Sequence, residues 1–217
     1  MPILLGGMLF FTESQGCQLA VLMGAIVYGV FCYQSRISWV ILKILLVMAT
    51  LAAPLIGFYG FEIFAEHMKE YEWTQNGYAA ERFEIWNFIS KRIMENPLYG
   101  FGIEATRVMD DFDTQKLYHP ESSILHPHNF ALQLWIEFGA IGAIGGAAFL
   151  WLIVSSIEQL KDRGVQLSCI SFLMALLVIA ATGYGLWQGW WLALFFMGGS
   201  LVNVMLNMYA INRGEVD

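Results

Sequence analysis

FALQLWIEFGAIGAIGGAAFLWLIVSSI, residues 130–157, is the stretch whose reading decides the fold. Glu137 is its only charged residue. About 20 apolar residues suffice to cross the hydrocarbon core of a bilayer as a helix, so this run reads as a membrane span. Four further runs read the same way: Cys17–Tyr33, Ile37–Phe61, Leu167–Thr182 and Trp191–Met208. Ile37–Phe61 carries Lys43 near its start, expected to snorkel to the membrane face, and Pro54, expected to kink it. Ile3–Phe11 is apolar but too short to cross, and reads as the tail of a helix whose beginning is missing. These residues lack a basic segment and a cleavage site, so no signal peptide is expected.

The composition agrees. Of 217 residues 58% are hydrophobic and 13% charged, with a mean hydropathy of +0.57. Soluble domains carry about 25% charged residues, and half that leaves too little polar surface to cover a water-soluble globule. The expected fold is therefore all-α: a polytopic transmembrane helix bundle of about five spans plus the partial N-terminal one. A net charge of −7 and a pI near 5.0 argue against a nucleic-acid partner. Cys17, Cys32 and Cys169 lie singly in apolar segments, so neither disulfides nor metal ligands are expected of them.

Basic residues of short loops set orientation. Alternating the spans puts Arg36, Lys43, Lys161, Arg163 and Arg213 at one set of ends, the cytoplasmic side. The long polar stretch Glu62–Leu125 then faces outward, with twelve acids against six bases. The organisation that follows is 1–61, N-terminal membrane helices; 62–127, an exported loop; 128–157, a span opening at that loop; and 158–217, two C-terminal spans and a cytoplasmic tail. Inside the loop Phe83, Ile85, Trp86, Ile89 and Ile93 recur at helical spacing, which predicts an amphipathic helix over Glu81–Glu95. Asn96-Pro97 stops it, and Tyr99-Gly100-Phe101-Gly102 reads as a tight turn.

Chemistry concentrates where the loop enters the 130–157 helix, at His126-Pro127-His128-Asn129. Asn129, Gln133 and Glu137 follow at i, i+4 and i+8, so they share one helix face. Such a stripe either holds helices together or lines a site, and Gly139, Gly142, Gly145 and Gly146 permit close packing on the same helix. His126, His128, His119, Glu121 and Asp113 show no metal-ligand spacing, so no metal is expected. His128 stands at the polar end of the stripe, where an imidazole suits general-base work near neutral pH. Arg82, at the start of the amphipathic helix, reads either as a solvated arginine or as a fork for phosphate oxygens. Lys91, Arg92 and Arg107 are weaker candidates for the same part.

Two motifs resemble the O-antigen ligase family and its relatives, the O-antigen polymerases and bacterial O-oligosaccharyltransferases. One is His128-Asn129, nine residues, then Gly139-Ala140-Ile141-Gly142, matching His-Asn-x9-Gly-x-x-Gly. The other is Arg82-x-x-Ile85-Trp86 leading to Asn96-Pro97-Leu98-x-Gly100-x-Gly102. The resemblance covers residues 12 to about 155. It implies a multi-pass protein of the bacterial inner membrane with its loop in the periplasm. It implies transfer of a glycan from undecaprenyl-pyrophosphate to an acceptor, the lipid A core in the ligases, by an inverting, metal-independent reaction without cofactor. His128 would activate or orient the acceptor hydroxyl as the catalytic residue, and Arg82 would hold the pyrophosphate. From this sequence's own polar stripe rather than from the family, Gln133, Glu137 and Asn129 are candidate supporting residues, with Gln15 counted beside them. Where the family has Ser-Arg-Gly, this chain has Ser14-Gln15-Gly16, and an amide supplies no such charge. Family members have about twice as many spans, so the chain is expected to be a C-terminal, loop-bearing half. A polysaccharide polymerase is the alternative within the class, and a non-catalytic membrane remnant the alternative outside it.

Overall fold

The computed structural model describes residues 15–33, 36–68, 78–114 and 123–212. Among them the chain forms α1 (Gln15–Cys32), α2 (Arg36–Leu51), α3 (Ala53–Met68), α4 (Tyr78–Ile93), a short 3-10 helix (Ala105–Val108), α5 (Phe130–Glu158), α6 (Arg163–Thr182) and α7 (Gly189–Asn212). No strand occurs among the described residues. Ile3–Phe11, Ser14, His119 and Glu121 lie outside them, as does the side chain of Gln15.

α5 and α6 are each long and apolar enough to cross a membrane. α2 and α3 qualify as a pair but bend by 73° where they meet. Pro54 has no N–H to offer the Thr50 carbonyl one turn back. The indole N–H of Trp135 donates to that carbonyl instead, at 3.0 Å. The other two expected spans fall on shorter apolar helices, Gly16–Cys32 and Gly189–Val204.

The chain divides into two compact units. One gathers the described residues of Met1–Gln34, Ser156–Ile179 and Leu186–Asp217. There Arg163, opening α6, donates to the Phe31 and Cys32 carbonyls that α1 leaves unpaired at its C-terminus. The end of α1 and the start of α6 thus meet.

The other unit holds the described residues of Ser35–Ser155 and Ala180–Gly185. Its core is apolar: Ile85, Phe88, Ile89 and Ile93 of α4, Ala105 and Met109 around the 3-10 helix, Phe112, Ile124, and Ala131, Leu132 and Ile136 of α5. α4 begins three residues earlier than its apolar spacing predicts and ends at Ile93. Gly57 lets α3 lie close on α4: a β-carbon there would come within 2.9 Å of the Trp86 carbonyl oxygen. Lys43 does not snorkel outward. It is buried, 3.5 Å from the Ser155 hydroxyl and over the Trp151 ring at 5.1 Å, because a cation in an apolar setting is held by a hydroxyl and an aromatic face.

The run 130–157 is not one continuous helix. Gly139 breaks it with φ 61° and ψ −152°. The break frees two carbonyls of the first segment. Ile136 accepts from the Phe101 N–H at 2.8 Å and Glu137 from the Gly102 N–H at 2.9 Å, while the Ala140 N–H turns to the Pro97 carbonyl at 2.8 Å. The segment after the break, Ala140–Glu158, rises about 28 Å at 1.5 Å per residue, enough to cross unaided. Gln133 and Glu137 lie before the break, in the core of the loop unit, so their burial does not require placing them in lipid.

Candidate functional site at the mouth of α5

α4 aims the site. Arg82 and Trp86, one turn apart, stand at the edge of its buried apolar face, on the side of Ile89 and Ile93, and Trp86 packs against the core there. The Asn87 side chain donates to the Phe58 carbonyl of α3 at 3.2 Å. The Trp86 indole N–H donates to the Pro127 carbonyl at 3.0 Å, between the two histidines. From the other side the Thr106 hydroxyl donates to the Leu125 carbonyl at 3.1 Å. The His126–Asn129 segment is therefore held from both flanks by α4 and by the 3-10 helix.

Pro127 keeps His126 extended, whereas His128 adopts a left-handed φ of 53°. Asn129 then starts α5: its Oδ1 accepts the N–H groups of Ala131 at 3.0 Å and Leu132 at 3.1 Å, a helix N-cap. The change of backbone hand brings the two histidine rings edge to face, with centroids 4.1 Å apart. His128 Nδ1 lies 2.7 Å from the Gly183 carbonyl oxygen in the turn after α6. Burial holds the His126 pKa below its ordinary value, and the positive charges of Arg82 and Arg107 push it the same way against its own backbone hydrogen bond. Both arginines therefore act on His126.

The remaining polar residues of the stripe are tied to each other and to the loop. Gln133 Nε2 donates to Glu137 Oε1 at 2.9 Å, and the same oxygen accepts the Glu104 N–H at 3.1 Å. That bond anchors Glu104, which stands at φ 57° just before the 3-10 helix. Arg107, exposed at the far end of that helix, pairs with Glu104 at 3.2 Å. Arg92 is engaged elsewhere: it pairs with Glu95 at 2.8 Å and Asp111 at 3.6 Å and lies over the Phe101 ring. Lys91 is exposed. Among the described residues no three His, Cys, Asp or Glu side chains converge in a way that could hold a metal ion.

In the sequence His126 is given no role beside His128; the structure places its ring on that of His128. The His-Pro-His spacing was the available signal, since proline restricts the residue before it. Gly183 and Gly185, some 55 residues on, read in the sequence only as part of a Gly- and Trp-rich turn, Gly183–Trp190, on the same side as the long loop, with nothing to tie them to the histidines.

The two sequence motifs also interlock. Pro97, Phe101 and Gly102 of one bond across the Gly139 break of the other. Gly100, at φ 69°, has no room for a β-carbon against the Glu137–Phe138 backbone, nor Gly139 against Leu98–Tyr99. A sequence profile of O-antigen ligase matches residues 2–147, which is well over half the chain.

The chain belongs to the O-antigen ligase family.

Several curated relatives from Rickettsia carry the description "Putative polysaccharide ligase". The one from Rickettsia conorii is 24% identical over 192 residues, covering 86% of this chain and 46% of the relative. The one from Rickettsia felis is 25% identical over 193 residues, again 86% and 46%. The one from Rickettsia bellii is 31% identical over 129 residues, 55% of this chain and 30% of the relative. The chain thus spans about half the length of the curated relatives it matches most fully. No solved structure matches it significantly. Within the O-antigen ligase match lie Arg82, Trp86, the Pro97–Gly102 turn, His128, Asn129 and Gly139; the Gly183–Gly185 turn lies beyond it.

Proposed function

We propose that this O-antigen ligase family member takes part in transferring a glycan from an undecaprenyl-pyrophosphate carrier to an acceptor hydroxyl at the periplasmic face of the bacterial inner membrane. The acceptor is the lipid A core. The observation that carries this reading is the meeting of a histidine base with arginine charge at the membrane mouth of α5. His128 sits against His126, and His126 lies in the field of Arg82 and Arg107.

The chemistry needs both. His128 takes the proton of the acceptor hydroxyl as its oxygen attacks the anomeric carbon. The bond from that carbon to the pyrophosphate oxygen breaks on the opposite face, with inversion. The departing lipid pyrophosphate carries the electron pair and is held by the Arg82 guanidinium, whose paired N–H groups fit phosphate oxygens. Arg107, itself paired with Glu104, adds its charge to that of Arg82 at His126. Gln133, Glu137 and Asn129 serve by holding the mouth of α5 and the 3-10 helix in place.

Polymerisation of repeat units on the same carrier would use the same groups, and surface lipopolysaccharide from cells with and without the gene separates the outcomes. Ligation predicts that deletion leaves bare core with no attached glycan. Core bearing a single unit would instead mark a polymerase, and an unchanged ladder would mark a non-catalytic remnant.

A further inference from the structure

We infer that the turn Gly183-Tyr184-Gly185 is a positioning element of this site: Gly183 fixes which nitrogen of His128 is the base, and Gly185 seats the His126 ring that backs it. The inference rests on the reading of His128 as general base.

A carbonyl oxygen only accepts hydrogen bonds. At 2.7 Å from the Gly183 oxygen, His128 Nδ1 must therefore carry the hydrogen, and in the neutral ring the lone pair then lies on Nε2. Free histidine prefers the other tautomer, so the turn selects the less common one. The same bond strengthens once the ring is protonated, because the donor is then charged. It thereby favours the imidazolium that forms as the acceptor loses its proton.

Gly185 acts through space rather than through backbone freedom. It is buried, and a β-carbon there would lie 3.0 Å from His126 Cγ and 3.2 Å from its Cβ, with Cδ2 closer still. An alanine at this position must push the ring aside. That ring meets His128 edge to face at 77°, and the charges of Arg82 and Arg107 bear on it from α4 and the 3-10 helix. Displacing it removes the support on which His128 is set. Gly189, four residues on, is the natural control, since a β-carbon there meets nothing within 4 Å.

The test uses the full-length protein in nanodiscs, labelled with nitrogen-15 histidine, with the His128 signals identified by their loss in His128→Asn. Above the ring's titration, wild-type His128 should show the proton on Nδ1. Gly185→Ala should lose that preference and lower kcat by about 10- to 100-fold, a part of the roughly 10²–10⁴ that general-base catalysis supplies. The KM for a carrier-linked glycan should change less than twofold. Gly189→Ala should match wild type, and Gly185→Ala added to His126→Ala should cost nothing further. A wild-type proton on Nε2 overturns the inference even where Gly185→Ala fails to fold. So does a Gly185→Ala protein with unchanged tautomer and kcat. The two readings fail separately: transfer surviving in His128→Ala overturns the base assignment, whereas transfer lost there with a wild-type proton on Nε2 overturns only the role of the turn.

Discussion

His128 holds a left-handed backbone, φ 53°, which costs a side chain with a β-carbon roughly 1–2 kcal/mol. Strain of this kind persists only where neighbours impose it, and it gathers at functional sites. Here the Trp86 bond to Pro127, the Asn129 cap and the Gly183 carbonyl impose it. His126 yields a prediction with a definite sign. Its pKa in the fold lies below the ordinary 6.5, first through burial and then through Arg82 and Arg107. As pH falls below 6.5, the unfolded chain binds the proton first. The stability contribution is therefore complete above 6.5 and is lost as pH falls from there toward the folded pKa. Thermal melting across that window should show a downward slope that His126→Gln removes; an unchanged slope would contradict the assignment. At this scale the sequence offered candidates only. Arg82 and His128 stood out by residue type and motif, whereas the tautomer of His128 and the part of His126 depend on contacts made across the fold.

The apolar runs and the period of Phe83–Ile93 foretold the helices, because burial in lipid or core imposes those patterns. The break in α5 was not legible. Four glycines in an apolar helix read as packing positions, and only the Pro97–Gly102 turn reveals that Gly139 is where the helix opens to receive it. The stripe Gln133–Glu137 likewise left two readings open. The structure ties it to the Glu104 N–H, and Glu137→Ala would strand both that donor and the Gln133 amide. It should cost about 2–6 kcal/mol, at about 1–3 kcal/mol per unsatisfied buried group. Glu137→Gln keeps an acceptor oxygen and should cost about half as much. Denaturation of the two variants in detergent checks this, with transfer retained by the folded Glu137→Gln protein. Transfer abolished in Glu137→Gln at full stability would instead give the carboxylate a part in the chemistry.

Across the whole molecule, helices long and apolar enough to cross a membrane could be read from composition and from the apolar runs. The division into units could not, because each unit is assembled from segments distant in the chain. Ala180–Gly185 joins the loop unit although its neighbours on both sides belong to the other. The central claim is that His128 and Arg82 together move a glycan off a lipid pyrophosphate. It is tested most directly in cells lacking the gene and complemented with the full-length native form carrying His128→Ala, with Arg82→Lys in parallel. Gels of lipopolysaccharide and extracts of carrier lipid should show uncapped core and accumulated carrier-linked glycan for His128→Ala. They should show a strong loss of capping for Arg82→Lys, which keeps the charge but not the fork. Normal capping by the His128→Ala protein would contradict the account.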